Sequence, residues 1–403
     1  MSVLTAPTAR LRVSHGLGFR VVAVAFATAL AFSTVPTPLY ALYQQRDGFP
    51  AFLVTVVFAA YAVGVMLSLY LAGHVSDWLG RRRVLLAGLL AEALSAALFP
   101  LWPDVPGLIV ARLVSGAGIG AITATATAHL SELRAVARPD ADVGRSGLVA
   151  TVVNAGGLAI GPLVGAVFAR FAGHPLSTPF AVFLVVLLLE AIAVSLVPET
   201  VERREERPAY RPQRLSLPPA ARSEFTGAAI GVFGAFAISG LFMALAPSLL
   251  AHELHQPSRL LAGIAPFTML GSAALAQLAL ARLGTRPQLR SGYVLMAVGL
   301  ALLAVAAFTA SLPLFFGASV LAGAGFGLGF RASVGTVAAL ADDLTRGEVL
   351  AALFLAAYAG LVLPVLLVGL AMLVASGAVV LAGFVVLELA LLGWSARRTL
   401  ARA

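Results

Sequence analysis

The 403-residue sequence contains no cysteine and no lysine, and only 11% of its residues are charged. The absence of cysteine excludes disulfide bonds, thiolate catalysis and metal sites built on thiolates. Soluble domains usually carry about 25% charged residues, so this composition excludes an ordinary soluble domain. All 27 basic residues are arginines, and the formal net charge is +9. Most arginines stand in short segments between apolar runs, so we interpret them as topology signals and expect no nucleic-acid partner.

Long apolar runs dominate the chain, in which 60% of residues are hydrophobic. About 20 helical residues cross the ~30 Å hydrocarbon core of a bilayer. Twelve runs approach or exceed that length, at 20–43, 51–73, 83–102, 107–130, 146–169, 178–198, 225–250, 259–281, 291–311, 313–340, 348–373 and 376–396. They are continuous, unlike the alternating segments of a membrane β-barrel. We therefore predict an all-α membrane protein with twelve transmembrane helices.

The arginines are distributed very unevenly between the two sets of connecting segments. Both termini and every second connection together carry 22 arginines, whereas the opposite connections carry only Arg46, Arg170 and Arg259. By the positive-inside rule the arginine-rich side is cytoplasmic. The sequence therefore predicts a multi-pass protein of the cell membrane with both termini in the cytoplasm.

The longest polar segment lies at the midpoint of the chain and has mixed charge and several prolines. Such a segment cannot bury a core of its own, so we predict a cytoplasmic linker at 199–224 between six-helix bundles at 1–198 and 225–403. Two pairs of motifs recur in corresponding runs: SGAGIGA at 115–121 with AGAGFGL at 322–328, and LLLEAIA with VVLELAL. These repeats predict two pseudo-symmetric halves, which is a recognised transporter architecture.

The polar segment 73–83, GHVSDWLGRRR, separates the second and third runs. It resembles the signature between helices two and three of the major facilitator superfamily, with Trp78 in place of the expected basic residue. Arg112 with its following glycines resembles the arginine motif of helix four. The sequence around Gly157, Gly161, Pro162 and Gly165 is similar to the helix-five motif associated with antiporters. This resemblance implies a secondary transporter that works by alternating access, with export driven by protons.

The resemblance assigns roles to three groups of residues. The segment 73–83 would act as a cytoplasmic latch that holds one access state through a contact with the second half; its residues are Gly73, Asp77, Gly80, Arg81 and Arg82. Asp77 and Arg81 are four residues apart and can pair on a helix. The alternative is a plain topology loop whose exposed ion pairs contribute little.

Arg112 stands inside the fourth run, about six residues from its start. A charge within the membrane is a functional hypothesis by default, so we interpret Arg112 as part of a coupling or substrate-binding network. The alternative is that its side chain reaches outward to the membrane surface. Gly157, Gly161 and Gly165 form a stripe that permits close approach of another helix, and Pro162 can bend the helix there.

Three carboxylates lie in the middle of apolar runs: Glu92, Glu190 and Glu388. Burial in hydrocarbon favours the protonated form of a carboxyl group, which is the property that a proton carrier needs. Because the resemblance puts these helices at the periphery of the fold, a protonated glutamate that joins two helices by hydrogen bonds is an equal alternative. The sequence does not rank the three.

The runs that the resemblance places around the central cavity are the first, fourth, seventh and tenth, and none has a carboxylate in its membrane portion. They offer hydroxyl and apolar groups instead; our cavity candidates are Thr37, Tyr40, Tyr43, Ser239 and Met243. A site for organic cations would require a buried anion. We therefore expect a neutral, amphipathic or anionic substrate. The prolines at 36 and 38 should break the first helix.

The leading functional hypothesis is a proton-coupled exporter of small organic molecules, a monomer with protons as coupling ion. Its nearest alternative is an uptake symporter or facilitator, and a more distant one is a non-transporting receptor or scaffold. We expect no enzymatic activity, no cofactor and no metal, because the sequence lacks HExxH and its six histidines are scattered.

Overall fold

The computed structural model describes residues 13–138, 144–201, 210–212, 221–342 and 346–401. In this part of the chain every regular element is helical. The α-helices are α1 (His15–Thr34), α2 (Tyr40–Asp47), α3 (Ala51–Ala72), α4 (Ser76–Leu79), α5 (Arg81–Leu101), α6 (Val105–Ala137), α7 (Gly144–Phe171), α8 (Thr178–Ser195), α9 (Arg222–His252), α10 (Arg259–Ala279), α11 (Thr285–Phe308), α12 (Leu312–Ala339), α13 (Arg346–Ala371) and α14 (Gly377–Leu400). Within the predicted linker, residues 202–209 and 213–220 lie outside the described residues.

Among the described residues, twelve helical segments are long and apolar enough to cross a membrane, which confirms the predicted fold class. The first of these spans joins α1 and α2 and runs over His15–Asp47. The short helix α4 lies in the loop between α3 and α5. The remaining eleven spans fall one to each long helix from α3 to α14, so the fourth predicted run is α6 and the fifth is α7.

The first span breaks at its two prolines, as the sequence predicts. Helix α1 ends at Thr34, a 3₁₀ turn follows at Thr37–Leu39, and α2 begins at Tyr40. Proline has no N–H to donate, so the carbonyl groups one turn earlier lose their helical partners. In a membrane such groups need another donor. Arg112 donates to another carbonyl at the same end of α1, that of Ser33.

The two repeated glycine runs make the same contacts in their own halves. In α6, Gly116 packs against the backbone of α3, and Gly118 lies against α5. In α12, 207 positions later, Gly323 packs against α10 and Gly325 against α11. In each half, the two contacted helices are the second and third spans of that half. The recurrence therefore extends from sequence to packing.

The halves pack together chiefly through α7 with α10 and α3 with α13. Close approaches lie near the end opposite the loop 73–83: Gly263 contacts Pro162, and Gly369 contacts Thr55. We call the end that carries the loop 73–83 the Arg81 end. In α9, every residue of 237–247 is buried. Residues 222–236 of the same helix lie nearer the Arg81 end and alternate between buried and accessible. The structure is thus closed between the halves away from the Arg81 end.

Candidate functional site

Arg112 is almost completely buried, with 2% of its surface exposed. Its Nη1 donates a hydrogen bond of 2.6 Å to the carbonyl oxygen of Ser33, in the last turn of α1. Its guanidinium lies over the ring of Tyr61, 4.3 Å from the centroid. Its Nε has no hydrogen-bond partner, and no carboxylate of the described chain forms an ion pair with it. The structure therefore shows a buried cation held by a carbonyl group and an aromatic ring.

Glu92 of α5 lies within electrostatic range of this cation but beyond ion-pair distance. Its Oε2 accepts a hydrogen bond of 3.0 Å from the hydroxyl of Ser115, and its Oε1 has no partner. The carboxyl group is fully buried and interacts electrostatically with Arg112. Ser115 follows Arg112 by three residues on α6, so both point to the same face. Of the three predicted carboxylates, Glu92 is the one that the fold brings to Arg112.

A cluster of aromatic rings occupies the second half between α9, α12 and α13. The ring of Phe236 lies 5.3 Å from those of Phe326 and Phe330 and 5.9 Å from Tyr358. Phe330 also contacts Phe354, at 6.1 Å. We call these five rings the aromatic cluster. All of these residues except Phe326 are partly accessible.

Tyr61 and Tyr358 connect the two groups across the interface between the halves. Tyr61 lies under the Arg112 guanidinium, and Tyr358 of the aromatic cluster lies within electrostatic range of Tyr61. Arg112, Glu92 and Tyr61 are buried, whereas Tyr358 is partly accessible.

The five predicted cavity residues lie in a different place. All are buried: Tyr43 is completely inaccessible, and the most exposed, Met243, shows 6% of its surface; the others are Thr37, Tyr40 and Ser239. They belong to the region where the halves are closed on each other. The hydroxyl groups of Tyr40 and Tyr43 have no hydrogen-bond partner. Their role in binding stays a prediction that concerns another conformation.

The loop 73–83 is built around Arg81. Its guanidinium contacts Asp77, donates a bond of 2.7 Å to Ser76 and pairs with Glu132 of α6 at 3.0 Å. The N–H groups of Arg81 and Arg82 donate to the Glu199 carboxylate at 2.9 and 3.2 Å. Glu199 therefore caps the N-terminus of α5, where a negative charge is favourable.

Further contacts extend this network to the linker. The hydroxyl of Thr200 donates to Glu132, and the hydroxyl of Tyr210 donates to the carbonyl of Leu71 at 3.0 Å. The ring of Tyr210 stacks on His74. In this conformation the polar contacts of the loop that lie among described residues stay within the first half and the linker. A latch to the second half remains a prediction for the opposite access state.

Gly80 is required by the same loop for two reasons. Its φ of 101° and ψ of 141° are strained for any L-residue, and an added Cβ would meet the Glu199 carboxylate. We expect Gly80→Ala to destabilise the protein by ~1–3 kcal/mol through backbone strain. The measurement is the thermal unfolding midpoint of purified protein. Gly173→Ala is the control, since a Cβ there meets nothing within 4 Å; equal effects of the two changes would contradict the prediction.

The pattern that defines the Major Facilitator Superfamily matches residues 21–365 of the sequence, which is most of the chain. The chain belongs to that superfamily. It is accordingly a multi-pass membrane protein.

Individual relatives of this superfamily member cover it to different extents. The arabinose-proton symporter of Bacillus subtilis is 27% identical over 125 residues, which are 30% of this chain and 27% of that relative. The chain thus spans about a quarter of the length of that curated relative. The structure of the human organic anion transporter MFSD10 superposes with a TM-score of 0.67 at 19% identity, over 95% of this chain and 100% of the other. The nucleoside transporter NupG gives 0.68 at 13% identity, over 96% and 98%. At these identities the solved structures show a shared fold.

The other two intramembrane carboxylates of this transporter face the first span of their own half. Glu190 of α8 lies beside Thr28 of α1, and its Oε2 is buried without a partner. Glu388 of α14 is fully buried against Gly234 of α9, and neither of its oxygens has a partner. They occupy equivalent places in the two halves. Neither contacts Arg112, so the fold separates them from the candidate site.

The glycines of the helix-five motif pack against the first span. Gly157, Gly161 and Gly165 of the transporter approach the backbone of α1 and its flank at residues 27, 31 and 35. Pro162 frees the carbonyl of Leu158, and the hydroxyl of Thr34 donates to that carbonyl at 3.1 Å. Pro162 itself faces Gly263 of α10. The glycine stripe thus holds α7 to α1, and the adjacent face of α7 contacts the second half.

Proposed function

We propose that this protein is a proton-coupled exporter of small amphipathic organic molecules, and that Glu92 and Arg112 couple substrate to protons. The observation that carries the proposal is the buried Arg112–Glu92 neighbourhood facing a partly accessible aromatic cluster across the interface. The aromatic cluster would receive the apolar body of the substrate. The residues 73–83 would form the latch of the alternating-access cycle.

The arginine distribution supports an orientation in which the Arg81 end and both termini are cytoplasmic. With that orientation the conformation is open towards the cytoplasm, because the halves are closed on each other at the other end. The accessible rings of the aromatic cluster would then be reached from the cytoplasm. An exporter collects its substrate from that side.

Coupling follows from the charge balance between Glu92 and Arg112. When Glu92 is ionised, its charge offsets that of the buried guanidinium, and its carboxylate can accept a hydrogen bond from a substrate. Protonation removes the charge and leaves a weaker, neutral acceptor, so a neutral substrate that donates to Glu92 competes with the proton. Competition for one site is the requirement for exchange, because binding of either partner must weaken binding of the other.

The alternative is an uptake symporter, favoured by the partial match to an arabinose-proton symporter. An anionic substrate bound beside Arg112 would be repelled by ionised Glu92 and would therefore bind together with a proton. Cooperative binding of this kind drives both partners in the same direction. The sign of the pH dependence of substrate affinity thus distinguishes the two functions.

The test uses Glu92→Gln, which keeps the size of the side chain and a hydrogen-bond acceptor for Ser115 but cannot ionise. The purified protein is placed in liposomes that contain a pH-sensitive dye. The probes are the neutral N-phenyl-1-naphthylamine and its anionic relative 8-anilino-1-naphthalenesulfonate. We expect probe-dependent proton movement in the wild type and only the background of protein-free liposomes with Glu92→Gln. Probe affinity of the variant should no longer depend on pH.

Glu190→Gln and Glu388→Gln are the matched controls, since they remove the other two intramembrane carboxylates. Both should retain proton coupling. If either control variant loses proton coupling while Glu92→Gln retains it, the coupling role belongs to that other carboxylate. The assignment of coupling to Glu92 would then be wrong. Proton-driven accumulation of a probe on the cytoplasmic side, in place of extrusion, would replace the exporter with the symporter.

A further inference from the structure

A pocket of about 450 Å³ lies at the Arg81 end between the first turns of α1 and the last turns of α6. Three of its lining side chains are arginines, Arg20, Arg134 and Arg138, and none of the described residues that line it is acidic. The pocket is separate from the Arg112 site, which is far along both helices towards their other ends. A pocket with three positive charges and no counter-charge is a site for an anion.

The arginines of the pocket have no ion-pair partner in the described part of the chain. The Nε of Arg134 is buried and makes no hydrogen bond, and its guanidinium lies 5.6 Å from the centroid of the Phe19 ring. Glu132, the nearest acidic residue along α6, is committed to Arg81 and Thr200. The positive charge of the pocket is therefore not balanced from within its own wall.

The backbone adds further donors for an anion. The first N–H groups of a helix have no helical acceptor and form its positive end. Ser14 caps α1, but its hydroxyl accepts only from Leu17. Gly16 lines the pocket and brings no side chain between that backbone and a ligand. Helix termini of this kind bind phosphate groups.

The pocket is also amphipathic and lies where the chain enters the apolar layer. Leu17 and Phe19 share its wall with the arginines, and the continuous apolar run of α1 begins directly afterwards, at Val21. That position corresponds to the headgroup level of a bilayer. Basic pockets between helices at this level bind the headgroups of anionic lipids.

We propose that this pocket binds a phosphate group through Arg20, Arg134, Arg138 and the first turn of α1. The phosphate belongs to the headgroup of an anionic phospholipid or to a free phosphate ester. A bound phosphate would connect the start of α1 to the end of α6 and so stabilise the first half at the Arg81 end. Neither the coupling chemistry at Glu92 nor the direction of transport enters this proposal.

Binding to the purified full-length protein in neutral detergent tests the proposal. Three probes are titrated, with the thermal unfolding midpoint and binding affinity as readouts: dioctanoyl phosphatidylglycerol, dioctanoyl phosphatidylcholine and glycerol 3-phosphate. A site for lipid predicts that phosphatidylglycerol alone binds tightly and raises the unfolding temperature. Equal binding of glycerol 3-phosphate identifies a free phosphate ester as the ligand. Equal binding of the two lipids without binding of glycerol 3-phosphate overturns the proposal, as does the absence of binding by all three.

Variants then place the ligand in the pocket. We expect Arg134→Gln and Arg138→Gln each to weaken binding of the anionic probe about 5-fold. Arg20 and Arg138 are exposed, so Arg20→Gln and Arg138→Gln carry the test if Arg134→Gln fails to fold. The matched control is Arg83→Gln, an exposed arginine at the same end but outside the pocket. Wild-type affinity in both Arg20→Gln and Arg138→Gln, or the same loss in Arg83→Gln, overturns the proposal.

Discussion

Arg112→Gln should reduce transport about 100-fold, because charged hydrogen bonds contribute up to ~3 kcal/mol. The thermal stability of the protein should not fall. Glutamine retains a neutral N–H donor near the end of α1, where Arg112 donates to the Ser33 carbonyl. What disappears is the positive charge beside Glu92 and the cation over the ring of Tyr61. A buried, unpaired charge is itself costly, so its removal can raise stability. The measurements are proteoliposome transport and the thermal unfolding midpoint.

The matched control is Arg331→Gln, which removes the other arginine within a transmembrane run. Arg331 donates to the carbonyl groups of Gln277 and Ala281, at 2.8 and 3.3 Å, and so holds α12 to the end of α10. We expect this control to retain transport and to lose some stability. If Arg112→Gln instead lowers stability and keeps transport, Arg112 is only a cap for α1, and its coupling role is wrong.

The fold could be predicted from the sequence because the bilayer imposes strong constraints on it. Hydrocarbon demands continuous apolar helices, so twelve runs in the sequence become twelve spans in the structure. The break in the first span was also predictable, since prolines at 36 and 38 remove two N–H donors. The conclusion that α1 ends at Thr34 follows from local chemistry alone.

The candidate site could be predicted only in part. A charge in an apolar run singles out Arg112 and Glu92 separately, but their proximity depends on how α5 and α6 pack. The aromatic cluster was missed, because phenylalanine is an ordinary residue in membrane helices and its members come from three helices. Phe236 and Tyr358, for example, are more than 100 residues apart. No spacing rule connects residues at that distance.

The network at the Arg81 end was missed for a similar reason. The sequence indicates a pairing of Asp77 with Arg81 because these residues are one helical turn apart. It does not indicate that Glu132 and Glu199, 51 and 118 residues from Arg81, are the other partners. The one available signal was the acidic residue that follows the sixth run directly. Its function as a cap became visible only once α5 and α8 were placed side by side.

The predicted cavity residues illustrate a different limit, since an alternating-access protein has more than one conformation. Thr37 and Ser239 belong to the part of the interface that is closed, whereas Phe236 and Phe330 are partly accessible. Sequence patterns identify which helices face the interface between the halves. Which segment of that interface is open is a property of one state, and a single sequence encodes both states.

Gly161→Ala should strongly destabilise the protein, because the added Cβ would overlap the Ala31 carbonyl and the Thr34 hydroxyl. Thr34 could no longer hold the Leu158 carbonyl that Pro162 leaves without a helical donor. We expect a loss of ~3 kcal/mol, at the upper end for overpacked interiors. Thermal unfolding and the yield of monodisperse protein measure it.

Gly156→Ala makes the identical substitution in the same helix, at a position where a Cβ meets nothing within 4 Å. Alanine is the better helix former by ~1 kcal/mol, so this control should be neutral or stabilising. Opposite signs for two equal changes five residues apart would show that packing of α7 on α1, and not helix propensity, decides stability at this motif. Equal effects would contradict the close contact between α1 and α7. That contact helps to position the end of α1, to which Arg112 donates.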